Sequence, residues 1–491
     1  MATGSLLFPI FFLLPIIFLI FNHLRRTSSK GPLPPGPRPW PIIGNLLHMG
    51  KKPHIQLAHL AQAHGPLISL KLGTQLIVVG SSPAAATEIL KTHDRLLSAR
   101  YVPHTTPAQR SSRNGSSMVW AAECSGQWKF LRTLCRTELF AAKAIDGQAS
   151  IREKKVMEMV GHLGAKEGEV IKVGQVVFAS VFNMLANVIF SRDFIEMEER
   201  EDSGGMKEIV WRMMELGTAI NIVDLYPMLD GFDIQGLNKK ALKYVEKVHA
   251  TWEVLVRERR GGKGSKQCDF LDVMLENGFS NDQINTLALE LLIAGSDTTA
   301  STIEWAMAEL IKSPEAMNKA QEELKREIKG NIVKESDLPQ LSYLQACVKE
   351  TLRLHPPAPL LLPHQAPETC TLMNYTIPKD TQVQVNVWAM GRDPVTWKDP
   401  LSFTPERFIS SDLDYKGNDF EFIPFGAGRR ICPGLPMATR QVHLILASLI
   451  HCFDWCLPHD MDPTQLDMNE KFGVTLQKEN PLLLIPKLRN V

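Results

Sequence analysis

The hydrophobic and polar positions along the chain predict a mainly helical protein with little strand. Apolar residues recur every three or four positions in residues 142–163, 205–216 and 237–259, and in two long segments that reach residue 329. This is the spacing of one helix face. Residues 67–80 instead alternate between apolar and polar, as in a β-hairpin. Because no repeat or second long linker follows residue 42, we expect one large helical domain over residues 42–491.

The first forty residues depart from this pattern. Residues 6–21 are an uninterrupted apolar run, followed by basic residues at positions 25, 26 and 30. No basic residue precedes the run and no small-residue cleavage motif follows it, which favours a membrane anchor over a cleaved signal peptide. We therefore predict an anchor over residues 1–22, with the rest of the chain on the cytosolic side. Residues 23–41 are basic and rich in proline, which predicts a stiff hinge.

Composition and charge exclude several classes of function. The 491 residues are 44% hydrophobic and 22% charged, with a net charge of +1, so nothing in the charge favours nucleic-acid binding. The eight cysteines form no C-x-x-C pair, so neither a disulfide scaffold nor a zinc site is indicated. Most of them are expected to be small buried residues in a reducing compartment.

Cys432 is an exception, because it lies in the glycine-rich segment FIPFGAGRRICPG, residues 422–434. Glycines permit tight turns and close backbone approach. Peptide N–H groups and the charge of Arg430 would then favour a thiolate over a thiol. Such a thiolate is either an axial metal ligand or a nucleophile, and a nucleophile needs a histidine base. No histidine lies close to Cys432 in the sequence, although a remote one would serve as well.

A second unusual segment lies in the middle of a long predicted helix. Ser280 and Gln283 have the form of a capping box, and the helical pattern continues to residue 312, a rod of roughly 48 Å. Its centre reads AGSDTT, residues 294–299. Thr298 shares a face with Ala294, and Asp297 points about 100° away. These residues either hold a flat ligand and move protons, or form a helix kink with threonine hydroxyls bonded to backbone carbonyls.

Two further pairs are weak signals by themselves. Glu350 and Arg353 lie three apart on a predicted helix, where burial would require another partner such as Arg407. Trp128 and Arg132 lie four apart, where they could bind carboxylates or form a surface cation–π pair.

Together these motifs resemble the cytochrome P450 family. F-x-x-G-x-R-x-C-x-G ends in Cys432 and Gly434, and A-G-x-D-T-T, E-x-x-R and P-E-R-F occur in the family's order. The resemblance covers the whole chain. It implies a fold that is mainly α with small β-sheets, preceded by one N-terminal transmembrane helix.

The resemblance also implies a cofactor and a site. Haem b would be held with its iron on the Cys432 thiolate, which favours O–O cleavage. Asp297 and Thr298 would supply protons for dioxygen activation, and Glu350, Arg353 and Arg407 would hold the cysteine loop. The remaining cofactor-binding residues would grip the haem propionates: Trp128, Arg132, Arg430 and His364, with Arg100 as a further candidate. Many relatives carry Arg where this chain has His364.

Other stretches resemble plant P450s that oxidise benzylisoquinoline alkaloids, including N-methylcoclaurine 3'-hydroxylases and phenol-coupling aporphine-type synthases. They include LLSARY, residues 96–101, and EKFGVTLQKE, residues 470–479. The resemblance implies a monooxygenase of the endoplasmic reticulum membrane that receives NADPH-derived electrons from NADPH–cytochrome P450 reductase. Docking charges for the reductase would include Arg136, Arg429 and Arg440.

Three functions stay open at this point. The first is aromatic 3'-hydroxylation of N-methylcoclaurine. The second is oxidative phenol coupling of the same substrates, and the third is a haem protein that does not activate oxygen, against which an intact Asp297–Thr298 pair argues. The resemblance implies pocket walls at residues 101–120, 289–293, 358–362 and 472–476. Glu290 either pairs with a protonated substrate amine or lies on the outer face of its helix.

Overall fold

The computed structural model describes residues 31–106, 116–197, 205–229, 231–262, 268–409 and 411–489. The predicted anchor, residues 1–22, and the first part of the hinge lie outside these ranges. Within them, helices and a few short strands form the architecture that the sequence predicts.

The α-helices are α1 (Leu46–Met49), α2 (Pro53–His64), α3 (Pro83–Thr87), α4 (Gly126–Cys135), α5 (Ala142–Gly147), α6 (Ala149–Ala165), α7 (Val173–Phe190), α8 (Met206–Thr218), α9 (Ile222–Leu225), α10 (Leu237–Arg260), α11 (Phe270–Glu276), α12 (Asn281–Lys312), α13 (Pro314–Glu327), α14 (Ser342–Leu354), α15 (Val387–Met390) and α16 (Leu435–Cys452). Two of them continue into single π-helical turns, Glu88–Thr92 after α3 and Arg136–Phe140 after α4.

The strands are β1 (Leu67–Leu72), β2 (Gln75–Gly80), β3 (Ala99–Arg100), β4 (Ile171–Lys172), β5 (His364–Gln365), β6 (Cys370–Leu372), β7 (Tyr375–Ile377), β8 (Gln382–Val385), β9 (Phe453–Cys456), β10 (Glu470–Lys471), β11 (Gln477–Lys478) and β12 (Leu483–Leu488). They form a five-stranded sheet in the order β1-β2-β8-β5-β3, a three-stranded sheet β4-β12-β9, and the pairs β10-β11 and β6-β7. In the largest sheet β2 and β8 run parallel, with Ile77 opposite Gln382.

The core is built around the long helix α12, which packs against α7, α14 and α16. Most of its side chains are buried, so its apolar positions face neighbours on nearly every side. Gly295 lies where α7 comes closest, because a Cβ at that position would be 2.6 Å from the Leu185 side chain. The glycine in the centre of the helix therefore permits close packing of α7 on α12.

Helix α7 is also apolar enough to cross a bilayer by length and composition, and within the described ranges it is the one helix that meets this test. Of its apolar window, 83% is buried inside the protein. The helix is therefore explained by the core that it forms with α12.

Several predicted elements are confirmed. The hairpin of residues 67–80 is β1 and β2, paired antiparallel with Leu67 opposite Gly80. Helix α12 has the bounds that the periodicity predicts, and the capping box of Ser280 and Gln283 closes its first turn. The helices predicted at 205–216 and 237–259 are α8 and α10.

Two predicted elements are wrong. The single helix expected over residues 142–163 is divided into α5 and α6, because Gln148 leaves helical geometry with φ −95° and ψ 1°. The basic segment 257–266 is not wholly a loop, since α10 continues to Arg260. The end of that segment, and most of the acidic stretch 196–202, lie outside the described residues.

Candidate active site

Cys432 lies in a constrained loop that precedes α16. Its backbone N–H donates to the Phe425 carbonyl at 3.0 Å, which closes the loop. The thiol faces a cavity of about 700 Å³. Burial raises the pKa of the Cys432 thiol, and the N–H groups of Gly434 and Leu435 together with the Arg132 charge oppose that rise. The cation that acts on the sulfur is thus Arg132, rather than the Arg430 that we expected.

The glycines of this loop have a geometric cause. Gly426 and Gly428 have φ values of 71° and 67°, a region that favours glycine. A Cβ on Gly428 would also lie 2.0 Å from the Leu90 carbonyl oxygen. The loop therefore packs with its backbone directly against the turn that follows α3, as the glycine-rich sequence predicts.

Behind the loop, Glu350, Arg353 and Arg407 form the predicted buried triad. Arg353 Nε donates to Glu350 Oε2 at 2.7 Å, and Arg407 Nε donates to Glu350 Oε1 at 2.9 Å. The Arg353 guanidinium also lies 5.3 Å from the Trp397 ring centre, and that ring packs edge-on against Phe422 at the start of the cysteine loop. The triad thus supports the loop through an aromatic layer.

Across the cavity, α12 presents Ala294, Thr298 and Thr302 on one face. The Thr298 hydroxyl donates to the Ala294 carbonyl at 2.7 Å, and the Thr302 hydroxyl donates to the Thr298 carbonyl at 2.8 Å. The threonine-to-carbonyl bonds that we expected of a helix kink are therefore present, although the helix continues unbroken to residue 312. The same hydroxyls still face the cavity, so these bonds are compatible with a role in ligand binding and proton movement.

Asp297 is buried and points away from this wall. Its Oδ1 accepts from Gln477 Nε2 at 2.9 Å. Burial raises the pKa of Asp297, while the side chains of Thr475 and Gln477 act in the opposite direction. Asp297 thus faces β11 and the residues before it, not the cavity directly. Sequence reasoning missed Gln477, because its partner lies 180 positions earlier.

Basic side chains converge on another wall of the cavity: Arg100, Arg132, Arg430 and His364. Arg430 donates to the carbonyls of Ser98 (2.8 Å) and Ala121 (2.7 Å), but its buried Nη1 lacks a partner among the described residues, as does Nε of Arg100. Burial and the Arg430 charge lower the pKa of Arg100 to about 9. Guanidinium groups gathered in this way, with donors to spare, fit an anionic ligand.

His364 joins this cluster as a neutral side chain. Its Nδ1 is bonded to the Leu97 carbonyl. Burial, and then the charge of Arg100, hold its pKa well below the usual value. Since the Leu97 carbonyl takes the Nδ1 proton, the Nε2 of neutral His364 has no proton to donate, and contact with a carboxylate would require the imidazolium form.

The Trp128 side chain makes its visible contacts within the protein. Its indole Nε1–H donates to the Met118 carbonyl at 2.9 Å, and its ring lies under both Arg430 and Arg132, at 4.7 and 5.4 Å from the guanidinium carbons. The ring thus positions two arginines through cation–π contacts. Direct contact between Trp128 and a propionate stays a prediction.

The remaining cavity walls are mostly apolar, as predicted. They include Leu289 and Ile293 on α12, Leu361 and Leu362 before β5, and Val474 before β11. The predicted wall 101–120 contributes Thr106 and residues from 116 onward, and residues 107–115 lie outside the described ranges.

Glu290 also lines the cavity, so its expected alternative, the outer face of the helix, is wrong. The side chain is 9% exposed. Its carboxylate accepts from the Ser117 hydroxyl and from the backbone N–H groups of Met118 (2.8 Å) and Val119 (3.2 Å). Burial raises the pKa of Glu290 to about 7 against these hydrogen bonds.

The residues present fit a haem group. A thiol at the end of a glycine loop faces the small-residue surface of α12 across one cavity. Arg100 and Arg430 offer unpaired guanidinium N–H groups at the edge of that cavity, where two carboxylates of a flat ligand would satisfy them.

Comparisons with known proteins agree with this geometry. The family model for cytochrome P450 matches residues 34–485. The chain is 53% identical to a probable (S)-N-methylcoclaurine 3'-hydroxylase isozyme 2 of Coptis japonica over 96% of both chains. It is 51% identical to (S)-N-methylcoclaurine 3'-hydroxylase isozyme 1 of Papaver somniferum, over 96% of this chain and 98% of that protein. It is 46% identical to corytuberine synthase of Coptis japonica, over 98% and 99%.

Proposed function

Because the chain belongs to the cytochrome P450 family and is a monooxygenase, we propose that it hydroxylates a benzylisoquinoline alkaloid such as N-methylcoclaurine at the 3' position of the benzyl ring. The observation that carries the proposal is the similarity, over nearly the whole chain, to two proteins named for that reaction. The cavity supports it through its lining, since the walls away from the Cys432 loop are mainly apolar, which suits an aromatic alkaloid. Haem and substrate would share the space of about 700 Å³.

Residues of this chain would hold haem b on two sides. Cys432 would bind the iron as a thiolate, while Arg100, Arg132 and Arg430 would donate to the propionates. His364 would join them once a propionate's charge favours its protonation. When bound, thiolate-ligated haem supplies the oxygen-activating chemistry. The protein contributes the shape of the cavity, the charge balance at its edge and the position of the substrate.

Thr298 and Asp297 would manage protons. Thr298 holds its hydroxyl on the cavity face through the Ala294 carbonyl. Asp297 lies next to it in the chain but faces Gln477, so a proton that leaves Asp297 must pass through a water molecule or the Thr298 hydroxyl. Burial raises the pKa of Asp297, the direction that favours a carboxyl able to both hold and release a proton.

A second candidate function is oxidative phenol coupling, which forms a C–C or C–O bond and inserts no oxygen. Its support is the similarity to corytuberine synthase, at 46% against 53% and 51% for the hydroxylases. Both reactions would use the same cavity and the same Cys432. The higher identity favours hydroxylation.

The cellular setting is also a proposal. The apolar run in residues 6–21 and the basic residues after it support a single-pass anchor in the endoplasmic reticulum membrane, with the catalytic domain in the cytosol. Electrons would come from NADPH through NADPH–cytochrome P450 reductase. Among the proposed docking arginines, Arg429 lies 3.3 Å from Asp94 and Arg440 lies 3.9 Å from Asp146. Both are surface contacts that a partner's carboxylates can replace.

Product analysis tests the proposal. The membrane-bound protein is incubated with reductase, NADPH and each enantiomer of N-methylcoclaurine, and product masses are measured. Gain of one oxygen supports hydroxylation, whereas loss of two hydrogens assigns phenol coupling. No product from either enantiomer contradicts the alkaloid assignment.

Two variants test the site itself. Cys432→Ala is expected to lose the spectrum of thiolate-ligated haem, and a surviving thiolate spectrum would show that another residue is the ligand. Thr298→Ala is expected to keep NADPH oxidation but to release less product per NADPH. Unchanged coupling would contradict the role given to Thr298. Wild-type protein with no NADPH-dependent turnover would instead favour a haem protein that does not activate oxygen.

A further inference from the structure

Glu290 lies on the same face of α12 as Ala294 and Thr298. It precedes Ala294 by one turn and Thr298 by two, a separation of about 6 and 12 Å along the helix axis. All three side chains line the same cavity. A ligand held at Glu290 would therefore extend along the helix toward Thr298 and Cys432.

The Glu290 carboxylate organises the loop that covers it. Glu290 accepts hydrogen bonds from Ser117, Met118 and Val119. The Ser117 hydroxyl in turn accepts from the Trp120 backbone N–H at 2.7 Å. Met118, Val119 and Trp120 line the cavity. One carboxylate thus fixes both its own orientation and the wall beside it.

The charge of Glu290 is not balanced by any of these contacts. Its hydrogen-bond donors are a hydroxyl and two peptide groups, all neutral. Among the described residues, no lysine, arginine or histidine forms an ion pair with it. Oε1 accepts one hydrogen bond and can accept a second. A buried carboxylate of this kind gains most from a cationic partner.

Building on the proposed function, we propose that Glu290 determines specificity by binding the protonated amine of the alkaloid through Oε1. Benzylisoquinolines with a basic tertiary amine carry this charge at neutral pH. The amine end would be held at Glu290, so that the benzyl ring at the opposite end extends toward Thr298. A charge-assisted hydrogen bond in a buried site gives both affinity and orientation.

The competing role is purely positional, because Glu290 also holds the loop 117–120. The two roles differ in their dependence on ligand charge. Loss of a loop tether weakens every ligand of the same shape, whereas loss of an ion pair weakens only the cation.

The experiment compares two ligands by optical titration of the reductase-free holoenzyme. One is N-methylcoclaurine, and the other is the N-acetyl analogue of the same skeleton, whose amide nitrogen carries no charge. Glu290→Gln is expected to weaken binding of the cation about tenfold or more. Binding of the neutral analogue is expected to change by less than about twofold. Equal weakening of both ligands, or of neither, would overturn the proposal.

Two further variants complete the design. Ser117→Ala removes one donor to Glu290 Oε1 but keeps the carboxylate, so the preference for the cation over the neutral analogue should persist. Asp282→Asn neutralises another acid that lines the cavity and should leave the preference for the cation intact. If Asp282→Asn also lost the preference for the cation, that preference would come from the overall negative charge of the cavity. This result would overturn the role of Glu290. The thiolate–haem spectrum of each variant reports that it is folded.

These titrations require no turnover, so the proposed function can fail separately. If the wild type binds the cation through Glu290 but yields no product, the reaction assignment is wrong and the amine site stands. If it binds neither ligand, both are wrong.

Discussion

Replacement of Gln477 by leucine tests whether Asp297 handles protons. Gln477 Nε2 donates to the buried Asp297 Oδ1 at 2.9 Å. The neighbouring Leu476 carbonyl accepts from Ser301 (2.8 Å) and from Trp305 (3.1 Å). Since Asp297, Ser301 and Trp305 follow one another at intervals of four, this single face of α12 carries all three bonds. Leucine at 477 keeps the backbone bonds at Leu476 and removes only the amide donor.

The magnitude follows from the loss of one hydrogen bond to a charged group. Such a bond contributes about 1.5–3 kcal/mol, which shifts the ionisation of Asp297 toward the neutral acid by roughly 10- to 100-fold. The direction agrees with the structure, where burial already raises the pKa of Asp297 and Gln477 opposes the rise. The part of the pH profile that reports Asp297 should therefore move to higher pH.

The assay measures product formed per NADPH oxidised across the whole pH range in which the enzyme keeps its thiolate–haem spectrum. Asp297→Asn should abolish the pH-dependent limb, and the double variant with Gln477→Leu should behave like Asp297→Asn alone. Gln345→Leu is the matched control, because its amide donates to the Leu338 carbonyl at 2.9 Å and Gln345 does not line the cavity. A wild-type pH profile in Gln477→Leu, beside an altered one in Asp297→Asn, would show that Gln477 does not control the ionisation of Asp297.

Three other variants follow from the site. Glu350→Gln leaves Arg353 buried without its anion, so we expect destabilisation of about 3–5 kcal/mol and a loss of thiolate–haem spectrum on mild heating; wild-type heat resistance would contradict the triad's role. Gly428→Ala places a Cβ 2.0 Å from a backbone oxygen at positive φ and should abolish haem incorporation, whereas Gly330→Ala, with open space around it, should incorporate haem normally. Arg430→Leu should speed haem loss to an apo-globin acceptor, and an unchanged rate would remove Arg430 from the propionate site.

The sequence predicts the local features of the fold well. The capping box at Ser280, the hairpin at residues 67–80 and the strained glycines before Cys432 are each confirmed, because neighbouring residues determine them. The division between α5 and α6 was missed, since the apolar spacing continues through Gln148 while the backbone does not.

Contacts between distant segments could not be read from the sequence. The sequence does not show whether the Glu290 side chain faces the cavity or solvent, because its contact with the loop of Ser117 joins segments far apart in the chain. Nothing in the local sequence of β11 distinguishes Gln477 from other polar strand residues, because its contact with Asp297 exists only when β11 packs beside α12. The partner of the Trp128 indole is likewise a backbone carbonyl, and no residue type identifies it in advance.

We propose that this chain is a haem-thiolate monooxygenase of a benzylisoquinoline alkaloid. The most direct test of this proposal is turnover of (S)-N-methylcoclaurine under isotopically heavy dioxygen, with reductase and NADPH, followed by mass spectrometry of the product. Hydroxylation by this enzyme predicts a product that carries one heavy oxygen atom on the benzyl ring. A product without heavy oxygen and lighter by two hydrogens would contradict hydroxylation and assign the cavity to phenol coupling.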